Sequence, residues 1–325
     1  MIYIRIIKHL KCFHYHMIYI LIMMCVACDR KEEIYPEVNI HFGVTMHESR
    51  SLINESKEMD SISVWSWRKT TGTTNKEIVF KKTTVKYNTA NSSWYYNPPK
   101  AWLLDNIYDF YALYPNTIAK ANYTDKGKLS FEKIDLKQTA EYNKEKVVDL
   151  MQAKTIGIET LSEPPEFVSL TFSHMLTNIN IDLKKSENNS NDKMEVTYIL
   201  LNGMNCVGSM TDDVWTLSEP SYFWDKLETP QLLSDKASSC FSNVLMLPQT
   251  IAENQVALYV VYSYQQAGGT AMTKTLETYL PAGKWKAGEK IVYTGTIQVD
   301  NNIVFETPQV ESWGTEQVGG TIIIQ

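Results

Sequence analysis

Between residues 38 and 46 the chain reads "VNIHFGVTM": Val38, Ile40, Phe42, Val44 and Met46 are apolar, and every residue between them is polar or small. A period of two puts these five side chains on one face of an extended segment and predicts a half-buried β-strand over 38–46. Short runs of the same character recur down the chain. They are "SISVWSW" (61–67), "EIVFKKTTVKY" (77–87), "DFYALYP" (109–115), "EFVSLTF" (166–172), "NINIDLK" (178–184), "MEVTYILL" (194–201), "NVLMLP" (243–248), "QVALYVVYSY" (255–264), "TKTLETYLP" (273–281) and "KIVYTGTIQV" (290–299). β-Branched and aromatic residues dominate them, and clusters of Asn, Gly, Ser, Thr and Pro separate them. Sustained helical spacing is missing. The stretch "KQTAEYNKEKVVDLMQAKT" (137–155) is mostly polar and reads as a long loop leading into a strand. The pattern predicts an all-β chain built from sandwiches rather than an α/β sheet.

Pro164 and Pro165 cannot sit inside a central strand, and a new β pattern begins directly after them. A domain boundary is therefore placed at the double proline, to within about 20 residues, giving domains over 28–164 and 165–325. That length is enough for two cores. The polar run "KKSENNSNDK" (184–193) reads as a surface connection between two strands.

The N-terminal segment changes the picture. Arg5, Lys8 and Lys11 precede an apolar run over 17–26 that ends in small residues ahead of Cys28. This is the layout of a secretory signal, too short for a membrane-spanning helix. Cys25-Val26-Ala27-Cys28 resembles a bacterial lipobox, in which the last cysteine is diacylated and becomes the new N-terminus. The resemblance implies a signal peptide over 1–27 and a lipid on Cys28. A redox or metal pair is the other meaning of C-x-x-C, but this one abuts an apolar run instead of opening a helix. The charged tether "DRKEE" (29–33) resembles the export signals of Bacteroidetes lipoproteins, which implies a lipid-anchored, surface-exposed place on the outer membrane. The whole chain carries 31 basic and 37 acidic residues; without residues 1–27, which hold three basic residues and no acidic one, the net charge is −9. Such a balance argues against nucleic acid and anionic lipid as partners.

Candidate chemistry is sparse. The nucleophile-elbow, zincin, dinucleotide-binding, P-loop and EF-hand patterns are all missing from the sequence. Beyond the signal the histidines are His41, His47 and His174. The first two share a strand face but lie about 20 Å apart, too far to hold one metal, and His174 in "LTFSHML" reads as a packed histidine. The chain is read as no enzyme, with no metal and no cofactor. Cys206 and Cys240 are the remaining cysteines, either one disulfide or two buried thiols. Trp94, Tyr95, Tyr96 and Trp102 cluster in "SSWYYNPPKAW" (92–102), where exposed rings would stack on a ligand and buried ones would pack over a sheet edge.

"NSSWYYNPPKAWLLDNIYDFYALYP" (91–115), "FVSLTFSHMLTNINIDLK" (167–184), "NVLMLPQTI" (243–251) and "LPAGKWKAGEKIVYTGTIQV" (280–299) resemble, in order, segments of the fimbrillin-like family of Bacteroidetes, the lipoprotein pilins of type V pili. The resemblance implies two tandem transthyretin-like β-sandwich domains. It implies cleavage after a basic residue in the loop following the first strand, and polymerisation with other pilin subunits by strand exchange. Arg50 matches that cleavage position, with Ser51 as the new N-terminus and the 38–46 strand as the segment removed. Here the cut lies in Ser49-Arg50-Ser51, where the family often has Thr-Arg-Ala. The C-terminal "ESWGTEQVGGTIIIQ" (311–325) suits a donor strand and equally an ordinary edge strand. The alternative is a surface lipoprotein that does not polymerise and binds glycan or protein through the aromatic loop over 94–102.

Overall fold

The computed structural model describes residues 38–46, 59–138, 149–189, 191–298 and 300–313. Among these residues the chain is all-β, and its helical content is one 3-10 turn, Glu187–Asn189, inside the polar connection expected there. Seven strands make the first sheet, in the order β1 (Phe42–Met46), β9 (Val168–His174), β8 (Met151–Glu159), β5 (Asn106–Tyr114), β2 (Ser61–Thr70), β3 (Glu77–Asn88) and β4 (Ser93–Tyr95). Every neighbouring pair is antiparallel except β1 with β9, which run parallel. The central strands are apolar on both faces. Ile62, Val64, Phe110 and Ala112 enter one core, while Trp65, Trp67, Tyr111 and Leu113 enter another. This double burial is why "SISVWSW" lacks a solvent-facing phase.

The second sheet has the order β13 (Ser238–Met246), β10 (Thr177–Lys185), β18 (Glu289–Ile297) and β19 (Ile303–Phe305), with β20 (Gln309–Ser312) also on β18. The third has the order β16 (Met272–Tyr279), β15 (Ala257–Gln265), β11 (Lys193–Thr211), β7 (Leu129–Asp135) and β6 (Asn122–Tyr123), with β12 (Val214–Leu232) also on β11. A short ladder of β14 (Gln249–Ile251) with β17 (Gly283–Trp285) completes the set. Ile179, Ile181 and Tyr293 from the second sheet and Val196, Leu201 and Val260 from the third share one core, which makes a sandwich.

Two features depart from the simple reading of the pattern. Strand β12 is 19 residues long and was not expected, because Pro220 and Pro230 interrupt its run. It tolerates them because, among the described residues, its only ladder is with β11, so a missing N–H on the other side breaks no pairing. Pro164 and Pro165 fall between β8 and β9, which pair within the same sheet through Met151 and His174. The chain enters the third sheet for β6 and β7, returns to the first for β8 and β9, and leaves it at residues 175–176 between β9 and β10.

Cys206 and Cys240 are buried free thiols in the sandwich core, so the bridge left open by the sequence is not formed. Burial pushes both thiols up to about 12, and only the thiolate is the nucleophile. Neither cysteine is expected to react with iodoacetamide at pH 8 in the folded protein, and both are expected to react in urea. Mass spectrometry of the alkylated chain reads the difference; rapid labelling of the native protein would contradict the burial.

Candidate functional site

The first strand is held by its side chains and by one neighbour. In β1 Phe42 to Met46 pair in register with Val168 to Phe172 of β9. Just before it, the Ile40 N–H donates to the Lys100 carbonyl at 2.8 Å, the Tyr96 hydroxyl donates to the Ile40 carbonyl at 2.8 Å, and the Val168 N–H donates to the His41 carbonyl at 2.7 Å. Ile40, Phe42 and Val44 are buried in the first core, and the Phe42 ring meets those of Phe80, Tyr96 and Phe110 edge-on at 5.6–6.0 Å. The alternation thus holds from Ile40 to Val44. Val38 is exposed, and Met46 ends the strand with its side chain outside the described residues. Gly43 is required by packing. A Cβ there would lie 2.8 Å from the Phe167 ring, which covers the outer side of the strand.

β1 and β4 are the two ends of the seven-stranded order, and a cleft of about 580 Å³ lies between them, lined by His41, Gly43, Tyr87, Ser93, Trp94 and Phe167. A strand at the end of a sheet keeps alternate N–H and C=O groups unpaired by the ladder. β1 is thus laddered along one side only, while Ile40, Phe42 and Val44 sit in the first core.

The aromatic loop packs instead of presenting a platform. Trp94 is buried against Tyr87 at 5.3 Å, and Trp102 is buried against Tyr108 at 4.8 Å and Phe110 at 5.8 Å. Tyr96 is half-buried, burial pushes its hydroxyl up, and its ring packs on Phe80 at 5.0 Å. Tyr95 alone of the four is exposed, at 50%. Cys28, Arg50, Ser51 and His47 lie outside the described residues, and of the C-terminal segment only residues 311–313 are described.

His174 is packed, as its strand position suggested, but with partners the sequence did not point to. Its Nδ1 lies 2.5 Å from the Asp149 carboxylate, both side chains are buried, and the Trp313 ring stacks on the imidazole at 3.9 Å and 14°. Burial pushes the Asp149 carboxyl up, and the His174 hydrogen bond pulls it part of the way back. The Trp313 backbone N–H donates to the Gly288 carbonyl at 2.7 Å. This cluster ties the end of β9 to the end of the described chain. Among the described residues, no group of three His, Cys, Asp or Glu side chains is placed to hold a metal ion.

Residues 49–313 match the family model described as fimbrillin-like. The chain belongs to the fimbrillin-like family. Among solved structures, this fimbrillin-like protein resembles a fimbrial protein from Bacteroides vulgatus at a TM-score of 0.59 and 17% identity, covering 85% of this chain and 99% of that one. A candidate cell adhesion protein from Bacteroides ovatus follows at a TM-score of 0.51 and 14% identity, covering 88% of this chain and 100% of that one. At such identities the likeness is one of fold. No curated protein matches the chain. Family membership places the chain among pilus-type or adhesion subunits of the cell surface, which are structural proteins and not enzymes.

Proposed function

We propose that this fimbrillin-like protein is a pilus subunit exported as a lipoprotein on Cys28, cut after Arg50, and polymerised by exchange of β1 for a strand of a neighbouring subunit. The observation that carries this reading is the placement of β1: parallel, laddered to β9 alone, beside an open cleft, with Ile40, Phe42 and Val44 in the core. Cutting the 47–58 link would not by itself expel the strand, because its hydrogen bonds and side-chain contacts survive. The cut abolishes the high effective concentration that the covalent link maintains, so a displaced strand is lost to a competitor. The vacated edge and apolar slot then accept a donor strand from the next subunit by backbone pairing and alternate side-chain insertion. The start of the family match at residue 49, one residue before Arg50, agrees with a mature chain that begins near Ser51. Two tandem transthyretin-like domains over 28–164 and 165–325 belong to the same proposal.

The aromatic-loop alternative has less to stand on, since burial of Trp94 and Trp102 leaves Tyr95 as its one exposed ring. Limited trypsin digestion is expected to yield a new N-terminus at Ser51 and permit oligomers, while a variant with Arg50→Ala and Lys57→Ala stays monomeric under the same treatment. N-terminal sequencing and size-exclusion chromatography read both. Polymers that form at the normal rate with residues 38–50 still attached would overturn strand exchange.

A further inference from the structure

The outer face of the third sheet carries a tract that the cleavage and exchange reading leaves unused. Inward positions on β11, β15 and β16 are aliphatic or aromatic core residues such as Leu201, Val260 and Leu276. By alternation the intervening positions face outward. In register across the sheet, Glu277, Tyr259, Leu200 and Trp224 form one row, drawn from β16, β15, β11 and β12. The next row is Tyr279, Ala257, Asn202 and Tyr222. On the other side of the first row, Tyr198 stacks on Trp224 at 5.9 Å and 25°. Tyr222 and Tyr279 remain 49% and 43% exposed, and Asn202 and Glu277 are exposed between and beside the rings.

The rings are close enough to act together. Burial raises the Tyr198 hydroxyl and Tyr222 raises it further; the Tyr259 hydroxyl donates to Glu277 at 2.7 Å, and both Glu277 and Tyr279 raise it. With strands about 4.8 Å apart, Tyr222 and Tyr279 stand three spacings, about 14 Å, from each other. The Gln138 carboxamide takes both backbone groups of Trp224, donating to its carbonyl at 2.8 Å and accepting from its N–H at 2.7 Å, which fixes this part of β12.

We propose that this face binds a neutral oligosaccharide. Sugar rings have apolar faces and hydroxyl rims, and a sheet face that sets Tyr and Trp rings beside a carboxylate and an amide matches both parts. Tyr and Trp supply wide, rigid contact at little cost in side-chain entropy. Stacking platforms for nucleic acid also use aromatic rings but set them in a basic groove; here the chain carries a net charge of −6 and Glu277 borders the rings. The centre of a protein–protein interface is depleted in charged residues, whereas here the Glu277 carboxylate borders the rings and Asn202 lies between them. The proposal is independent of strand exchange.

Isothermal titration of the purified protein with neutral hexasaccharides of glucose, mannose, galactose and N-acetylglucosamine tests it. At least one of these sugars is expected to bind, with affinity reduced about tenfold in Tyr222→Ser and in Tyr279→Ser, the loss of one ring contact. Both variants change exposed side chains and should keep the parent melting temperature, which confirms folding. Tyr95→Ser should bind as the parent does; loss there would move the site to the loop over 94–102 and overturn the assignment. Binding to none of the four sugars, or binding unchanged in both ring variants, overturns it as well. Self-association without sugar binding, abolished by Tyr222→Ser, would assign the face to a second copy instead.

Discussion

A chain that starts at Ser51, and so lacks β1, is expected to be about 5–9 kcal/mol less stable than the full chain, and to recover most of that when a synthetic peptide of residues 38–46 is added. Ile40, Phe42 and Val44 are the side chains that β1 and its lead-in bury in the first core, and burying each contributes about 1.5–3 kcal/mol. The total is an upper bound because an unfolded chain already hides part of its apolar surface. It is still comparable with the entire stability of an ordinary domain, about 5–15 kcal/mol. The shortened chain should therefore aggregate or oligomerise at concentrations where the full chain is monomeric. Urea unfolding with increasing peptide should move the midpoint upward, since a ligand that binds only the folded state stabilises it by mass action. Equal midpoints with and without residues 1–50 would show that β1 is not a structural member of the first core. Phe42→Ala in the peptide should remove most of the rescue, because that ring has three aromatic neighbours.

Asp149→Ala is expected to lower stability by about 1–3 kcal/mol, the usual cost of leaving a buried polar group without its hydrogen-bond partner. Both side chains are buried, and His174 has the Trp313 ring against its face, so water cannot readily replace the lost carboxylate. Replacing both residues by leucine should recover much of the loss, since a well-packed apolar pair leaves no buried polar group without a partner. Asp149→Asn keeps a hydrogen-bond acceptor for the ring and should fall between the two. Urea midpoints of the three variants give the order, and a double-leucine variant no better than Asp149→Ala would show that the site needs its polarity. Near-ultraviolet circular dichroism should change with Asp149→Ala, because Trp313 stacks on the ring that the carboxylate orients.

These expectations connect the edge strand with the rest of the molecule. β9 is the partner of β1 along its length, and the same strand ends in His174. The cluster that fixes the end of β9 thus supports the ladder that holds β1, the strand proposed to exchange. Loosening the cluster should make β1 exchange faster even where cleavage is unchanged, an effect read in the same peptide-rescue experiment.

Period-two alternation, β-branched and aromatic runs, and polar breaks were enough to establish an all-β chain and to place its first strand, with Ile40, Phe42 and Val44 turned inward. A strand has a face before it has a partner, so local pattern carries that much. Family segments spread along the chain likewise pointed to fimbrillin-like proteins without any knowledge of pairing. Partner choice was another matter. Nothing near "VNIHFGVTM" says that it lies parallel to a strand beginning at Val168, or that β4 borders the cleft beside it. The aromatic loop shows the same limit from the other side: four rings in a row of residues looked alike, and tertiary packing buried Trp94 and Trp102 while leaving Tyr95 in solvent. The Asp149, His174 and Trp313 cluster and the tyrosine-rich face on β11, β12, β15 and β16 were invisible for one physical reason. Each is assembled from segments distant in sequence, and their register depends on how whole cores close together, a condition that no short window of residues contains.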